Sequence, residues 1–159
     1  VDILVNAAGV FVWRKFLDVG AEEWHRTIDT NLSAPFFLTQ EASRAMADQG
    51  RGGSIINITS IHGSIGDPHV VPHCAAKFGL VGLTKATAEA LRAHHIRVNA
   101  IAPGAIEPDS ASRRGETPNR KVTQADIATL VVYLASDLAR TITGAVIDMY
   151  GSTHTVIRP

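Results

Sequence analysis

The sequence predicts an α/β fold, a doubly wound parallel sheet that lacks its first βαβ half. Three observations predict it. Short β-branched runs alternate with longer segments of helical period, an order that pairs strands in parallel through crossover helices. Turn-forming residues follow three of those runs, at Asn6 to Gly9, Ser60 to Gly63 and Pro103 to Ile106. No G-x-G-x-x-G follows a strand, although the phosphate-binding half of such a sheet needs those glycines for close backbone approach.

The elements follow in order. Asp2 to Val5 reads as a buried strand, closed by the small residues Asn6-Ala7-Ala8-Gly9. Glu22 to Asp48 carries Trp24, Ile28, Phe37 and Leu38 at helical spacing, with Pro35 bending or breaking the run. Gly52-Gly53 is a turn, and Ser54 to Ser60 has the β-branched density of a central strand. Gly63, Gly66 and Asp67-Pro68 mark a loop up to Val71, and Pro72 opens a helix that runs to about Ala93. Ile96 to Ala102 is a strand stopped by Pro103-Gly104. A polar, proline-broken stretch, 108–121, reads as a flexible surface loop. Ile127, Leu130, Val131 and Leu134 form the core stripe of an amphipathic helix, and Ala145 to Met149 gives the last strand.

Composition narrows the function classes. At 159 residues and 45% hydrophobic, the chain is one domain able to bury a core without staples. Fifteen basic and fifteen acidic side chains cancel, so no global field favours nucleic acid or an anionic membrane. One cysteine, Cys74, cannot form an internal disulfide, and no apolar stretch is long enough to span a bilayer; a cytoplasmic setting is expected. The chain opens on an apolar strand-like run without a methionine, which gives the expectation of a C-terminal part of a longer domain.

Ligands of parallel open sheets bind beyond the strand C-termini, where the three turns are expected to meet. The residues there carry a pattern. Ser60 sits near a strand end, Lys77 lies on the following helix, and His73 precedes Lys77 by four residues in Pro72-His73-Cys74-Ala75-Ala76-Lys77. This arrangement resembles the short-chain dehydrogenase/reductase family, in which a serine is followed by Tyr-x-x-x-Lys. Here histidine stands where that pattern has tyrosine.

The resemblance extends along essentially the whole chain and matches the family's later portion, hence a Rossmann-like sheet without its first half, in which Asp2 to Val5 is expected to form an apolar, unpaired edge. It implies that Asn6, Ala7, Ala8 and Gly9 shape the strand end beside a cofactor's adenine ring. By the same resemblance Asn31 holds a water in a proton relay, Ser60 orients substrate, Lys77 grips the nicotinamide ribose, and Pro103, Gly104 and Ile106 underlie the nicotinamide. The implied reaction interconverts an alcohol and a ketone with NAD or NADP, in a homo-oligomer, a tetramer or dimer. Three departures accompany the missing tyrosine: Ala7 stands where the family's Asn-Asn-Ala-Gly element has its second asparagine, Pro108 replaces a phosphate-binding threonine, and the segment between Glu107 and Val122 is shorter than the family's usual lid.

His73 decides between two readings. Positions 73 and 77 are one helical turn apart, and positive charge together with a helix N-terminus keeps the imidazole neutral near pH 7. A neutral imidazole can act as base on an alcohol but is a poor acid for a ketone. Imidazole is also shorter than phenol, and a misplacement of about 1 Å costs on the order of a hundredfold in rate. The alternative is a catalytically impaired binding or assembly subunit. His62, His69, His73 and Cys74 crowd one region, yet their spacing matches no structural zinc pattern, so no metal site is expected. Tyr133 and Tyr150 fall too late in the chain to replace the missing phenol.

Overall fold

The computed structural model describes residues 1–106 and 121–151. Four strands, β1 (Ile3–Asn6), β2 (Gly53–Ile58), β3 (Ile96–Pro103) and β4 (Val146–Met149), pair in that order, all parallel. Among the described residues four α-helices connect or cover them: α1 (Ala21–Ile28), α2 (Ala34–Gln49), α3 (Val71–Ala90) and α4 (Gln124–Ala135).

Strand alternation builds the two cores. Ile55, Ile96 and Val98 face Ala42 and Met46 of α2 and Ala88 of α3. Ile56 and Ile101 face the opposite way, against Leu134 of α4 and Ala139. The sheet is therefore doubly wound, as the alternating pattern predicts. Of the expected α4 stripe only Leu134 is fully buried; Ile127, Leu130 and Val131 are half-buried against the same cluster.

β1 departs from the buried strand that its apolar run suggests and forms the unpaired edge that the resemblance implies. It lies at the sheet edge with one neighbour, and although Leu4 packs into the core under α2, Ile3 is 51% and Val5 39% exposed. The cause is geometric: α4 packs on β2 and β3 and leaves that face of β1 uncovered among the described residues.

The break in the first helical segment also sits earlier than Pro35. Asp29–Ser33 forms one π-helical turn between α1 and α2, and Pro35 lies in the first turn of α2. Proline has no N–H to bond the carbonyl of Asn31, so the ladder widens there. Gly79 of α3 then lets this turn pack closely, since a Cβ at that position would come within 2.7 Å of Leu32. Smaller shifts affect other boundaries. β2 ends at Ile58, Ser60 caps a 3₁₀ turn at Ile61–Gly63, and α3 ends at Ala90, before a second 3₁₀ turn at Arg92–His94. The expectations for 108–120, including Pro108, lie outside the described residues.

Candidate active site

Parallel register brings the strand C-termini to one edge: Asn6 lies opposite Asn57, Ile58 opposite Ile101, and Pro103 opposite Met149. The π turn projects Asn31 into the interior there. Its amide orientation is fixed by two bonds to Val10, accepting from the backbone N–H at 2.8 Å and donating to the carbonyl at 2.8 Å. The same Nδ2 lies 3.4 Å from His73 Nδ1. Asn31 thus ties the turn after β1 to the start of α3.

His73 and Lys77 share one face of α3, and both are buried. Lys77 Nζ donates to the carbonyl of Ile58 at 2.8 Å, and desolvation lowers its pKa to about 8. Gly9 marks where these groups converge. A Cβ there would stand 3.3 Å from Asn31 Oδ1 and 3.9 Å from Lys77 Nζ.

Burial, with a smaller contribution from the Lys77 ammonium, lowers the pKa of His73 to about 4. The imidazole is therefore neutral at pH 7, although desolvation is a larger cause than the charge and helix terminus inferred from sequence. Phe11 meets the ring edge-on at 5.0 Å, and His62 does so at 5.8 Å. Two tautomers are open to the ring, with opposite uses. A proton on Nδ1 can point toward the Val10 carbonyl and leave Nε2 bare as a base. A proton on Nε2 makes that atom a donor while Nδ1 accepts from Asn31.

The depressed pKa couples to stability. Between about pH 4 and the ordinary histidine value of 6.5, the unfolded chain binds more protons than the folded one, so stability rises with pH across that window. Acidification from pH 7 to 4 is expected to remove about 2 kcal/mol through this residue, after allowance for partial solvent access. Urea titrations of wild type and His73→Gln check this: the variant should lose clearly less stability over that range.

Ser60 has extended backbone, and its Oγ accepts from the N–H of His62 at 3.2 Å, leaving its own proton available to donate. Ser60 and Ala102 line a cavity of about 230 Å³ with Lys85 and Asp148. Gly104 N–H bonds the carbonyl of Met149 at 2.9 Å, which fixes the turn after β3, while Ile106 bridges to Val122 and stays exposed. Asn6 is turned inward. Its Nδ2 donates to Asn57 Oδ1 at 2.8 Å and Thr39 Oγ1 at 3.2 Å, and Asn57 continues to Thr84, so only Ala7, Ala8 and Gly9 of that turn lie exposed.

Sequence reasoning missed the loop that roofs the site. Phe11 covers His73, Trp13 stacks on His69 at 4.8 Å, and Arg14 N–H bonds the His69 carbonyl at 2.7 Å. Two aromatics in an aperiodic stretch were the available signal. Tyr150 is also nearer than its place in the chain suggests, bonding Ser64 four residues beyond Ser60; burial raises its pKa, which disfavours it as an acid or base. Among the described residues no group of three His, Cys, Asp or Glu is disposed to hold a metal ion, and no helix is long and apolar enough to cross a membrane.

Comparison with known proteins identifies the family of the chain. The profile of the family described as enoyl-(acyl carrier protein) reductase matches residues 1–151. Nodulation protein G of Rhizobium meliloti is 37% identical over 95% of this chain and 65% of its own length. L-rhamnose 1-dehydrogenase (NAD(P)(+)) of Azotobacter vinelandii is 38% identical over 91% of this chain and 61% of its own length. A 4-hydroxyisoleucine dehydrogenase solved with NADH and succinate superposes with a TM-score of 0.88 at 33% identity, covering 98% of this chain and 69% of that one. The chain therefore spans about two thirds of the length of the proteins it matches. In sequence and fold, the chain belongs to the short-chain dehydrogenase/reductase family.

Proposed function

We propose that this protein is an oxidoreductase that interconverts an alcohol and a ketone with NAD or NADP. The observation that carries the reading is the approach of Asn31 and Lys77 to Gly9, with His73 beside Asn31 and Ser60 on the same sheet edge. Three features fit a dinucleotide. The turn at Ala7, Ala8 and Gly9 is exposed and nearly free of side chain, so a flat ring can approach it. The Oδ1 of Asn6 is buried without a partner. Lys77 makes one hydrogen bond among the described residues, to Ile58, which leaves two ammonium protons for ribose hydroxyls.

When bound, the nicotinamide supplies or accepts a hydride. The protein's own work is to place the substrate and move a proton. Ser60 donates to the substrate oxygen, and Lys77, the Ala7–Gly9 turn, Pro103, Gly104 and Ile106 are the residues that would hold the cofactor. His73, in the place of the family's tyrosine, takes the carbinol proton through its bare Nε2. In that tautomer Nδ1–H points to the Val10 carbonyl, which Asn31 also binds, so Asn31 positions His73 through Val10 and holds the relay water. The substrate is a small alcohol or ketone.

Turnover by the full chain with a panel of secondary alcohols, followed as nicotinamide reduction, tests this. We expect measurable oxidation and a loss of at least a hundredfold in Ser60→Ala, the scale on which such positioning groups act. Absence of turnover with every alcohol, and no effect of Ser60→Ala, would reject catalysis. A second reading, a non-catalytic assembly subunit, is favoured by Phe36, Phe37 and Phe78, which are 42%, 60% and 47% exposed on α2 and α3. Those aromatics equally suit a homo-oligomer of an active enzyme. A complex that forms tightly but ignores both nicotinamides would select the subunit reading.

A further inference from the structure

Asn31 and Val10 fill the Nδ1 side of His73, so a substrate meets the imidazole at Nε2. Two rings flank that imidazole, Phe11 edge-on at 5.0 Å and His62 edge-on at 5.8 Å. A carbinol oxygen within hydrogen-bond reach of Nε2, about 3 Å, brings the groups on its carbon into the contact range of those rings. What the rings favour therefore bears on what the site accepts.

The segment that carries Phe11 presents aromatic faces from an anchored backbone. Val10 is held by its two bonds to Asn31, and Arg14 by its N–H to the His69 carbonyl at 2.7 Å and its Nε to Glu23 Oε2 at 3.1 Å. Between these anchors Val12 is half-buried, while Phe11 and Trp13 are 55% and 61% exposed. Trp13 lies 4.8 Å from His69 with the two planes 7° apart, and Phe11 stacks on His62 at 6.5 Å and 29°. Each imidazole covers one side of its partner and leaves the rest open. Burying that open aromatic area under a flat apolar group is favourable, and ring-on-ring contact adds to the gain from area alone.

The polar groups beside these rings are turned to one another. Asp67 accepts from the His69 N–H at 2.8 Å and faces His69 Nδ1 and His62 Nε2 at 3.6 and 3.8 Å, while Arg14 is paired with Glu23. A polyhydroxylated substituent would give up water there for few free partners.

We propose that Phe11 and Trp13 form a stacking platform that makes this site selective for secondary alcohols and ketones with an aromatic ring on the reacting carbon. The inference rests on the oxidoreductase reading and deepens it by naming the substrate class. Neither ring takes part in proton transfer. Both act by binding, so their effect falls on KM for the substrate.

Oxidation of 1-phenylethanol, 1-cyclohexylethanol and xylitol by the full chain, with NAD and with NADP, tests the proposal. The first two alcohols match in size and differ in flatness, which separates stacking from plain apolar burial. In wild type, kcat/KM for the phenyl alcohol should exceed that for the cyclohexyl alcohol by about tenfold, the scale of one aromatic pair, and xylitol should be the poorest of the three. Phe11→Leu and Trp13→Leu should each shrink that ratio by about threefold or more, through KM, and Trp13→Phe should keep most of it. A wild-type ratio near one, faster oxidation of xylitol, or a ratio untouched by both leucine variants overturns the platform and leaves the oxidoreductase reading standing. So does turnover of other alcohols in the panel without turnover of 1-phenylethanol. Absence of turnover with every alcohol overturns the oxidoreductase reading and this proposal together.

Discussion

Replacing His73 by tyrosine is expected to raise ketone reduction by about a hundredfold, because a phenol reaches farther than imidazole and carries a proton at neutral pH. The surroundings are ready for it. The Lys77 ammonium lies one helical turn away on the same face and would lower the phenol's pKa, as it now helps to lower that of His73. Space must come from Phe11, which lies 5.0 Å from the present ring but is 55% exposed on a loop and free to yield. A stability loss of roughly 1–3 kcal/mol from the larger ring is the accompanying cost. Steady-state reduction of a ketone panel by wild type and His73→Tyr measures the gain. Equal rates would mean that residue 73 does not contact the reacting oxygen.

Asn31→Ala is expected to cost both stability and turnover. The side chain is fully buried and satisfies the N–H and C=O of Val10 at once, so truncation leaves two backbone groups unpaired at about 1–3 kcal/mol each. The turn after β1 would loosen just where Gly9 approaches Lys77, and His73 would lose its contact at Nδ1. Asn31→Asp separates the two effects, since one carboxylate oxygen can still accept from Val10 while the donor is lost. Denaturation with urea and initial rates on both variants provide the check. Turnover in Asn31→Ala should drop by more than tenfold, beyond what unfolding explains.

Much of the fold could be read from period and turn chemistry. Adjacent apolar residues in β2, Ile55 and Ile56, imply a strand buried on both faces, and the structure puts one under α2 and α3 and the other under α4. The edge at β1 was legible from the resemblance and not from the local pattern. The run Ile3 to Val5 is as apolar as β2, and nothing local says that α4 fails to cover it. The π turn follows from Pro35, but its register depends on which carbonyl loses a partner, a question that periodicity does not pose. At the site, the spacing of His73 and Lys77 placed them on one face. The inward turn of Asn6 depends on Asn57 and Thr39, far away in sequence, and so was hidden. The histidines around Asp67 read as a rejected metal pattern, because sequence gives their proximity but not the ring that each one faces.

The constellation has meaning as an active site only if a nicotinamide binds against Lys77 and the Ala7–Gly9 turn. Calorimetric titration of the full chain and of Lys77→Met with NADH and NADPH measures that directly. Wild type should bind one of the two in preference, and the variant should lose at least tenfold in affinity, because a buried ammonium with two free protons is replaced by a thioether. Wild-type affinity should also weaken above about pH 8, where Lys77 begins to lose its charge. Binding of neither nucleotide, or identical binding by wild type and Lys77→Met, would contradict the assignment of this edge as a nicotinamide site.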